Sequence, residues 1–477
     1  MMRFSGFIVK NRKHVLALFF LLLIPSVLGF LNTKENYDIM SYLPASLNSR
    51  QGEAILEEKF NLSGQAFVVL ENTEAWKIRE LKSRMEAVEG VKQVLWLDDF
   101  EDVNLPLEFM EPQIRDNFIS GDSTILLIQF TGNARSGSTM LAVEEIREIC
   151  GGKVLFGGEP VIMNDLQAIT SKEMIYYMII GVVSIYAILS ASMTSFIEPL
   201  LFLVSIGIAI ILNMGTNIIK GEVSFITASV AAVMQLGISM DYSIFLLHRF
   251  EEEKQKPQSL EDAMISAISR TGVPVTASAL TTIAGFAALV FMKNGIGRDL
   301  GIVLGKGIVF SLLANVTVLP CLILISSRFA DKYRHKPVIP GLKNLSGRIV
   351  RYRWLFLVII MLIAVPSFLA QRNLNYYYST EHYLPENSRA VVDTIKIRDT
   401  FMNTEVLYVI TPDTGNVKEK ELAERIKTID AVDSVLGLSQ QVDVAIPETF
   451  IPADVRERYI KEGYRYFEVR LSTTSDD

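Results

Sequence analysis

The chain has 477 residues, of which half are hydrophobic, with a mean hydropathy of +0.30 and a net charge of −7. The two cysteines, Cys150 and Cys321, and the four scattered histidines exclude a disulfide framework and a metal site with standard ligand spacing. No Ser/His/Asp set or GxSxG motif is present, so neither an enzyme nor a cofactor site is predicted.

The apolar residues are concentrated in seven blocks, and each is long enough for a helix that crosses a bilayer, which takes about 20 residues. The first block follows three basic residues, as in a signal peptide. However, Val27–Phe30 is a poor cleavage site, so the sequence predicts an anchor instead. The predicted spans lie near 14–31, 172–192, 198–219, 224–248, 273–292, 300–325 and 354–370.

Charge is segregated along the chain, and this segregation predicts the orientation. Residues 32–173 carry 13 Lys/Arg and 24 Asp/Glu, whereas 328–353 carry eight Lys/Arg and one acid. Because basic residues near span ends stay in the cytoplasm, the N-terminus is predicted inside and the large acidic segments outside a cytoplasmic membrane. The basic segment is interpreted as an orientation signal that contacts anionic lipids, not as a nucleic-acid site.

The first outside segment alternates between strand and helix patterns. Omitting an inserted helix near 107–119, the order is β-α-β-β-α-β, which is the split-βαβ or ferredoxin-like pattern. The predicted strands are 66–70, 91–97, 124–130 and 154–156, and the helices between them are 75–87 and 138–149.

The sequence repeats itself at an offset of 341 residues. Tyr42-Leu43-Pro44, for example, recurs as Tyr383-Leu384-Pro385. The second copy predicts strands 405–411, 432–438 and 465–471 and helices 417–428 and 452–461. Its last helix and strand have no counterpart, which would leave an apolar sheet face and a strand edge uncovered.

Such a duplicated half-protein is the plan of many membrane transporters. We therefore expect about 200 further residues with five more spans, or a second polypeptide or copy that completes the chain. The predicted domains are 1–31 (cytoplasmic N-terminus and first span), 32–171 (first outside domain), 172–325 (five-helix bundle), 326–353 (basic cytoplasmic linker), 354–370 (seventh span) and 371–477 (incomplete second outside domain).

Asp241 is the clearest ionisable residue inside a predicted span. It lies eight residues before Arg249, or about 12 Å along a helix, which places its carboxylate near mid-membrane. Burial there would favour the neutral form, so that the group could load a proton outside and release it inside. The alternative is a neutral structural aspartate.

Two neighbours of Asp241 in the sequence have possible roles beside it. Tyr242 could donate a hydrogen bond to the carboxylate or serve only in packing. Gly237 lies on the same helix face as Asp241.

Other polar residues in the spans have two possible roles, relay support or helix packing. Lys306 could pair with Asp241, but snorkelling of its ammonium to the outer interface is favoured. Ser278, Thr281 and Thr282 could hydrogen-bond between helices or support proton transfer. Gly297, Gly301 and Gly305 form a GxxxGxxxG face that predicts close helix contact.

With its order of one span, an outside loop, five spans and a partial repeat, the chain resembles the resistance-nodulation-division superfamily. The Gly237–Tyr242 segment of the fourth span and the Ser278–Phe286 segment of the fifth are similar to its MMPL, or hydrophobe-exporter, branch. The resemblance implies a proton-driven exporter of lipids or other hydrophobic molecules with ferredoxin-like porter domains. It also implies that Asp241 and Tyr242 form a proton-relay pair. The five-helix block is also similar to sterol-sensing domains.

Three functions therefore remain open. The first is a proton-coupled exporter of an amphiphile or lipid, whose partners are membrane lipids, the hydrophobic substrate and protons. The second is a lipid-binding or sensing protein that does not transport. The third is an accessory factor of protein export. No nucleic-acid partner is predicted for any of them.

Overall fold

The computed structural model describes residues 1–60, 64–103, 106–110, 112–152, 154–335, 347, 349–374, 382, 384–401 and 406–471. The chain forms two compact units. Unit 1 contains residues 1–44 and 170–374, and unit 2 contains residues 45–169 and 375–477. Part of the predicted basic linker, 336–346 and 348, lies outside the described residues.

The helices and strands are numbered in chain order. The first part of the chain contains α1 (Met2–Lys10), α2 (Arg12–Asn32), β1 (Lys34–Asn36), α3 (Asn48–Ile55), β2 (Gln65–Glu71), α4 (Ala75–Glu86), β3 (Val91–Leu95), α5 (Pro112–Phe118), β4 (Ile119–Ser120), β5 (Ser123–Phe130), α6 (Gly137–Cys150) and β6 (Leu155–Gly157). The middle part contains α7 (Glu159–Ser192), α8 (Ile197–Gly215), β7 (Glu222–Ser224), α9 (Phe225–Lys254), α10 (Leu260–Val290), α11 (Gly295–Val316), α12 (Val318–Lys332) and α13 (Arg353–Ala370). The last part contains α14 (Arg389–Phe401), β8 (Val406–Pro412), α15 (Asn416–Lys427), β9 (Val432–Leu436), α16 (Leu438–Gln441), α17 (Ala453–Tyr459), β10 (Ile460–Lys461) and β11 (Tyr464–Leu471).

Seven helices of the described residues are long and apolar enough to cross a membrane, which confirms a polytopic helical membrane protein. They are α2, α7, α8 with the turn that follows it, α9, α10, α11 with α12, and α13. The helix of the second span is longer than predicted, because it begins at Glu159 instead of residue 172. The sixth span is broken between α11 and α12 at Thr317, whose φ is −120° and ψ is −61°.

Side-chain caps fix the start of two of these helices. The Ser259 hydroxyl accepts a hydrogen bond from the Asp262 N–H at the start of α10, at 3.1 Å. The Asn294 side-chain oxygen accepts from the Ile296 N–H at the start of α11, at 2.8 Å. Each bond satisfies one of the N–H groups that have no partner in the first turn of a helix.

Helices α2 and α8 approach each other closely at two glycines. A Cβ placed on Gly29 would lie 2.3 Å from the carbonyl oxygen of Gly215, and one placed on Gly215 would lie 2.1 Å from that of Ser26. Both contacts are with backbone atoms, which cannot turn away as a side chain can. Glycine is therefore required at this crossing.

We expect Gly215→Ala to destabilise unit 1 by about 1–3 kcal/mol, because an added methyl group must push the α2 backbone away. Gly207→Ala is the matched control, since a Cβ on this α8 glycine meets nothing within 4 Å. Thermal unfolding of the detergent-solubilised variants measures the difference. Equal unfolding temperatures for the two variants would show that the close crossing contributes nothing to stability.

The first sheet of unit 2 has the strand order β3-β5-β2-β6, with β4 paired to β5. All of its pairings are antiparallel. Its core contains side chains of α4 and α6, among them Ile78, Met85 and Ile146. The predicted strands and helices of this segment are present with bounds shifted by at most two residues. The inserted helix is the exception, since it is a 3-10 turn over Leu107–Phe109 followed by α5.

The second sheet has the order β10-β11-β8, and β9 also pairs with β11. Its elements recur at the offset found in the sequence: β8, α15, β9, α17 and β11 begin 341 residues after β2, α4, β3, α5 and β5. Among the described residues β8 pairs with β11 alone, whereas its counterpart β2 pairs with both β5 and β6.

The two sheets of unit 2 exchange helices that the sequence analysis did not predict. Helix α14 packs on the first sheet: the Asp393 carboxylate accepts from the Phe156 N–H at 3.3 Å, and the Thr394 hydroxyl accepts from the Gly158 N–H at 3.1 Å. Conversely, Phe60, which follows α3, packs edge-on against Tyr466 of the second sheet, with ring centroids 4.9 Å apart. Phe60 and Tyr466 lie on the side of the second sheet opposite to α15, which packs against Phe467 and Val469.

The second sheet contains a buried charge cluster around Arg465, whose side chain is 1% exposed. Its guanidinium donates to the carboxylates of Asp413, Glu419 and Glu448 and to the side chain of Asn416. Burial lowers the pKa of Arg465, but the carboxylates outweigh this effect and raise it. We call this group the Arg465 cluster.

Candidate functional site

Asp241 lies in α9, within the membrane-spanning part of unit 1. Its side chain is on the exposed surface of the bundle, as is neighbouring Gly237, on which a Cβ would meet nothing within 4 Å. Among the described residues, no neighbouring helix covers the Asp241 side chain. The residue type was readable from the sequence, whereas burial depends on which helices pack against this face.

Tyr242 points the other way, into the interface of α9, α10 and α11. It is 2% exposed and packs among Val275, Ala279 and Ile308. Its hydroxyl has no hydrogen-bond partner among the described residues. Of the two roles considered for Tyr242, donation to the Asp241 carboxylate is not made within the described residues, because consecutive helical residues project in directions about 100° apart.

We expect Tyr242→Phe to keep or raise the stability of the protein, because the variant removes a buried hydroxyl that has no partner here. Thermal unfolding in detergent measures this effect. A loss of stability would show that the hydroxyl has a partner, for instance an internal water.

Lys306 is held away from Asp241. Its ammonium donates to the side-chain oxygen of Asn217, in the turn after α8, at 2.5 Å. Among the described residues no hydrogen bond or ion pair joins Asp241 to Lys306. The Lys306 side chain is thus directed towards the turn that follows α8.

The predicted hydroxyls of α10, those of Ser278, Thr281 and Thr282, make no recorded hydrogen bond to another helix among the described residues. The Thr281 and Thr282 hydroxyls donate to the carbonyl oxygen of Ser278 in their own helix, at 2.7 and 3.1 Å. Ser278 and Thr281 are exposed, and so is Gly285. This part of α10 is a small-residue surface within the described bundle.

The GxxxGxxxG face of α11 makes one close contact with α10. A Cβ on Gly301 would lie 2.6 Å from the Phe286 carbonyl oxygen, whereas one on Gly305 would have an ordinary 3.8 Å contact with the Phe286 side chain. Gly297 would meet only the flexible side chain of Met292. Close packing is thus centred on Gly301.

A set of polar residues that the sequence analysis missed joins α8, α9 and α11 inside the bundle. The Asn213 amide donates to the Gln235 side-chain oxygen at 2.9 Å, and the Gln235 amide donates to the Gly307 carbonyl at 3.1 Å and the Ser311 hydroxyl at 3.0 Å. All three polar side chains are fully buried. In membranes, such bonds contribute about 0.6–2 kcal/mol each.

These residues belong to three buried stripes with a spacing of four residues, which together we call the polar seam. Its members are Ser205, Ala209, Asn213 and Asn217 of α8 and the following turn; Thr227, Ala231, Gln235, Ser239 and Ser243 of α9; and Asp299, Val303, Gly307, Ser311 and Asn315 of α11. Asparagine and glutamine at a helical spacing in otherwise apolar spans are the signal that could have revealed it.

One end of the seam continues into a region that we call the rim, where Lys220 after α8, Ser224 of β7 and Asp299 near the start of α11 meet. The Asp299 carboxylate forms an ion pair with Lys220 and accepts from the Ser224 N–H at 2.8 Å. Ser224 ends β7, which pairs in parallel with β1. The buried carboxylate therefore ties α11 to this two-stranded sheet.

The comparisons with known proteins agree with the architecture. The model of the MMPL family matches residues 45–364. The relative MJ1562 of Methanocaldococcus jannaschii is 28% identical over 206 residues, which is 43% of this chain and 51% of the relative.

Two relatives in Mycobacterium tuberculosis have names that state a function. The siderophore exporter MmpL5 is 24% identical over 361 residues, covering 70% of this chain and 37% of the relative. The sulfolipid-1 exporter MmpL8 is 24% identical over 299 residues, covering 60% and 27%. The chain thus spans between about a quarter and a half of the length of these relatives.

Proposed function

The chain belongs to the MMPL family, and we propose that it works as a proton-driven exporter of lipids or other amphiphiles. The observation that carries this proposal is the position of Asp241, a carboxylate in the middle of an apolar membrane helix. A charge at the centre of a membrane helix costs about 2.5–3.5 kcal/mol on insertion scales, and such residues are usually functional.

Unless another element packs over it, the Asp241 carboxylate faces lipid as a charged group. The exposed surface around it contains small residues, Gly237 on α9 and Ala277, Ala284 and Gly285 on α10, beside the larger Phe245 and Leu280. Another helix could approach closely at the small positions. We propose that a second set of membrane helices, from the same polypeptide or from a second copy, packs on this surface. Protonation of Asp241 in that interface, supported by Tyr242, would then change how the two sets fit together.

Unit 2 supplies the segments that we assign to the outside of a cytoplasmic membrane. The strand order of its first sheet and the recurrence of elements at the 341-residue offset support two duplicated ferredoxin-like porter domains. We propose that these domains handle the cargo. The names of two relatives, a sulfolipid exporter and a siderophore exporter, favour an amphiphilic cargo.

The test uses the complete gene product reconstituted in phosphatidylcholine vesicles, with a fluorescent lysophospholipid as the probe. We expect probe movement to require an imposed pH gradient and to fall at least tenfold when a protonophore collapses it. A lipid sensor would bind the probe equally well with and without the gradient. Gradient-independent binding without movement would contradict the proposal.

A further inference from the structure

Helix α9 carries two stripes on opposite sides. Gly237 and Asp241 form part of the exposed stripe, and Gln235 and Ser239 form part of the polar seam. The members of one stripe are offset by two residues from those of the other, which is about 200° around a helix. Any rotation of α9 that moves Asp241 therefore also moves Gln235.

Gln235 holds α9 against two other helices at once. Its oxygen accepts from Asn213 of α8, while its amide nitrogen donates to Gly307 and Ser311 of α11. Rotating or sliding α9 alone would break all three bonds within a buried region. Such a loss is costly, because buried polar groups there have no water to replace the partner.

The fit around Gln235 leaves no room for adjustment. A Cβ on Gly307 would lie 2.7 Å from the Asn213 amide nitrogen and 3.0 Å from the Gln235 oxygen. A second bond lies two turns farther along α9, where the Ser243 hydroxyl donates to the Asn315 oxygen at 2.9 Å. Helices α9 and α11 are thus held at two levels, and α8 joins them at the level of Gln235.

The seam also reaches the rim. Asp299 begins the α11 stripe that contains Gly307, and Asp299 and Asn315 are separated by 16 residues, or about 24 Å of helix. At the rim the Asp299 carboxylate contacts Lys220 and the Ser224 N–H. A displacement of the three helices as one body would therefore displace the rim as well.

We propose that Gln235 is a positioning residue that makes α8, α9 and α11 one rigid block, which carries a change at Asp241 to the Lys220–Asp299 rim. The inference rests on the proposed function of Asp241 as a protonation switch. It adds the route by which that switch acts at a distance. The polar seam is the connection between the two ends, and its role goes beyond helix adhesion.

The Asp241→Asn variant is needed to separate Asp241 from the other charged groups in and around the block. Three helices that pack against α9 carry charged residues. These are Glu198 on α8; Glu261, Asp262 and Arg270 on α10; and Arg298, Asp299 and Lys306 on α11. On α9 itself the charged and titratable residues other than Asp241 and Tyr242 follow Leu247. At the rim, the titratable groups are Lys34, Glu35, Asp38, Tyr42, Lys220, Glu222 and Asp299.

The test measures the rim directly and needs no cargo. Ile219, 86% exposed beside Lys220, is replaced by cysteine and labelled with an environment-sensitive maleimide fluorophore. Cys150 and Cys321 are replaced by alanine, and the complete gene product is placed in phosphatidylcholine vesicles. We expect a fluorescence change on a step from pH 8 to pH 6, which Asp241→Asn reduces at least fivefold.

Variants of the polar seam should reduce the same fluorescence response. We expect at least a fivefold reduction in Gln235→Leu and in Gly307→Ala, and an unchanged response in Gly305→Ala, the control glycine two residues away on the same helix. Ser311→Ala, which removes a single acceptor, supplies a milder variant if Gln235→Leu does not accumulate as folded protein.

The outcomes separate the two proposals. A response that Asp241→Asn removes but the seam variants keep would overturn the rigid block and leave the proposed function standing. A response that survives Asp241→Asn would instead remove Asp241 as the proton switch. The absence of any response in the parent protein would overturn the block, because the rim would then not follow Asp241.

Discussion

Asp241→Asn should reduce proton-driven export at least 100-fold while the protein stays folded in the membrane. Asparagine has nearly the same shape as aspartate but cannot bind and release a proton, so the variant keeps the packing of α9 and loses the titration. The measurement is the rate of gradient-driven movement of the fluorescent lysophospholipid in vesicles. Each rate is normalised to the amount of reconstituted protein.

Asp262→Asn is the control for this variant. Asp262 lies in the first turn of α10 and accepts a hydrogen bond from the Ser259 hydroxyl at 2.6 Å, which an asparagine oxygen can also accept. Its export should equal that of the parent protein. If Asp241→Asn retains more than half of the parent rate, the exporter is not driven through this carboxylate.

Arg465→Met should destabilise the second sheet of unit 2 by about 3–5 kcal/mol, as expected when one partner of a buried ion pair is removed. The variant leaves the carboxylates of Asp413, Glu419 and Glu448 close together without their common counter-charge, and Glu419 is 3% exposed. Urea or thermal unfolding of the detergent-solubilised protein measures the loss.

Arg470→Met is the matched control, since Arg470 lies on the same strand, β11. No ion pair or hydrogen bond of its side chain is recorded within the described residues. It should cost less than about 1 kcal/mol, as is usual for surface substitutions. Similar losses for the two variants would show that the Arg465 cluster does not stabilise the sheet more than an ordinary surface arginine does.

The Arg465 cluster also distinguishes the two sheets. At the positions 341 residues earlier, the counterparts of Arg465, Asp413 and Glu419 are Thr124, Asn72 and Ile78. Thr124 accepts from the Trp96 indole at 2.8 Å and donates to the Phe118 carbonyl at 3.0 Å, so the same place in the first sheet is neutral. The two sheets therefore share the order of their elements but differ at this position, where one has a buried charge cluster and the other has neutral side chains.

Local periodicity made much of the fold predictable. The pattern of Ile78, Leu81 and Met85 predicted α4, and apolar blocks of sufficient length predicted all seven membrane helices. Such patterns report which face of an element is buried. They do not report which partner buries it, which is why α3 and α14 and their exchange between the sheets were missed.

The candidate site shows the same limit. The sequence identified Asp241 because an ionisable residue is conspicuous in an apolar span. It did not identify Gln235, because a neutral amide in an apolar span stands out only when the four-residue polar stripes of α8, α9 and α11 are compared with one another. The exposed position of Asp241 was likewise unpredictable, because it follows from the packing of α9 on helices distant in the sequence.

The exchange of helices in unit 2 has a consequence for synthesis of the chain. The first sheet ends at Gly157, but the helix that packs on β6 begins at Arg389, 232 residues later. At about 5–20 residues per second, a ribosome takes roughly 10–50 s to make that interval. During this time the β6 edge lacks its native cover and can pair with strands of other chains. The first sheet therefore receives its native cover only after the second half of the chain has been translated.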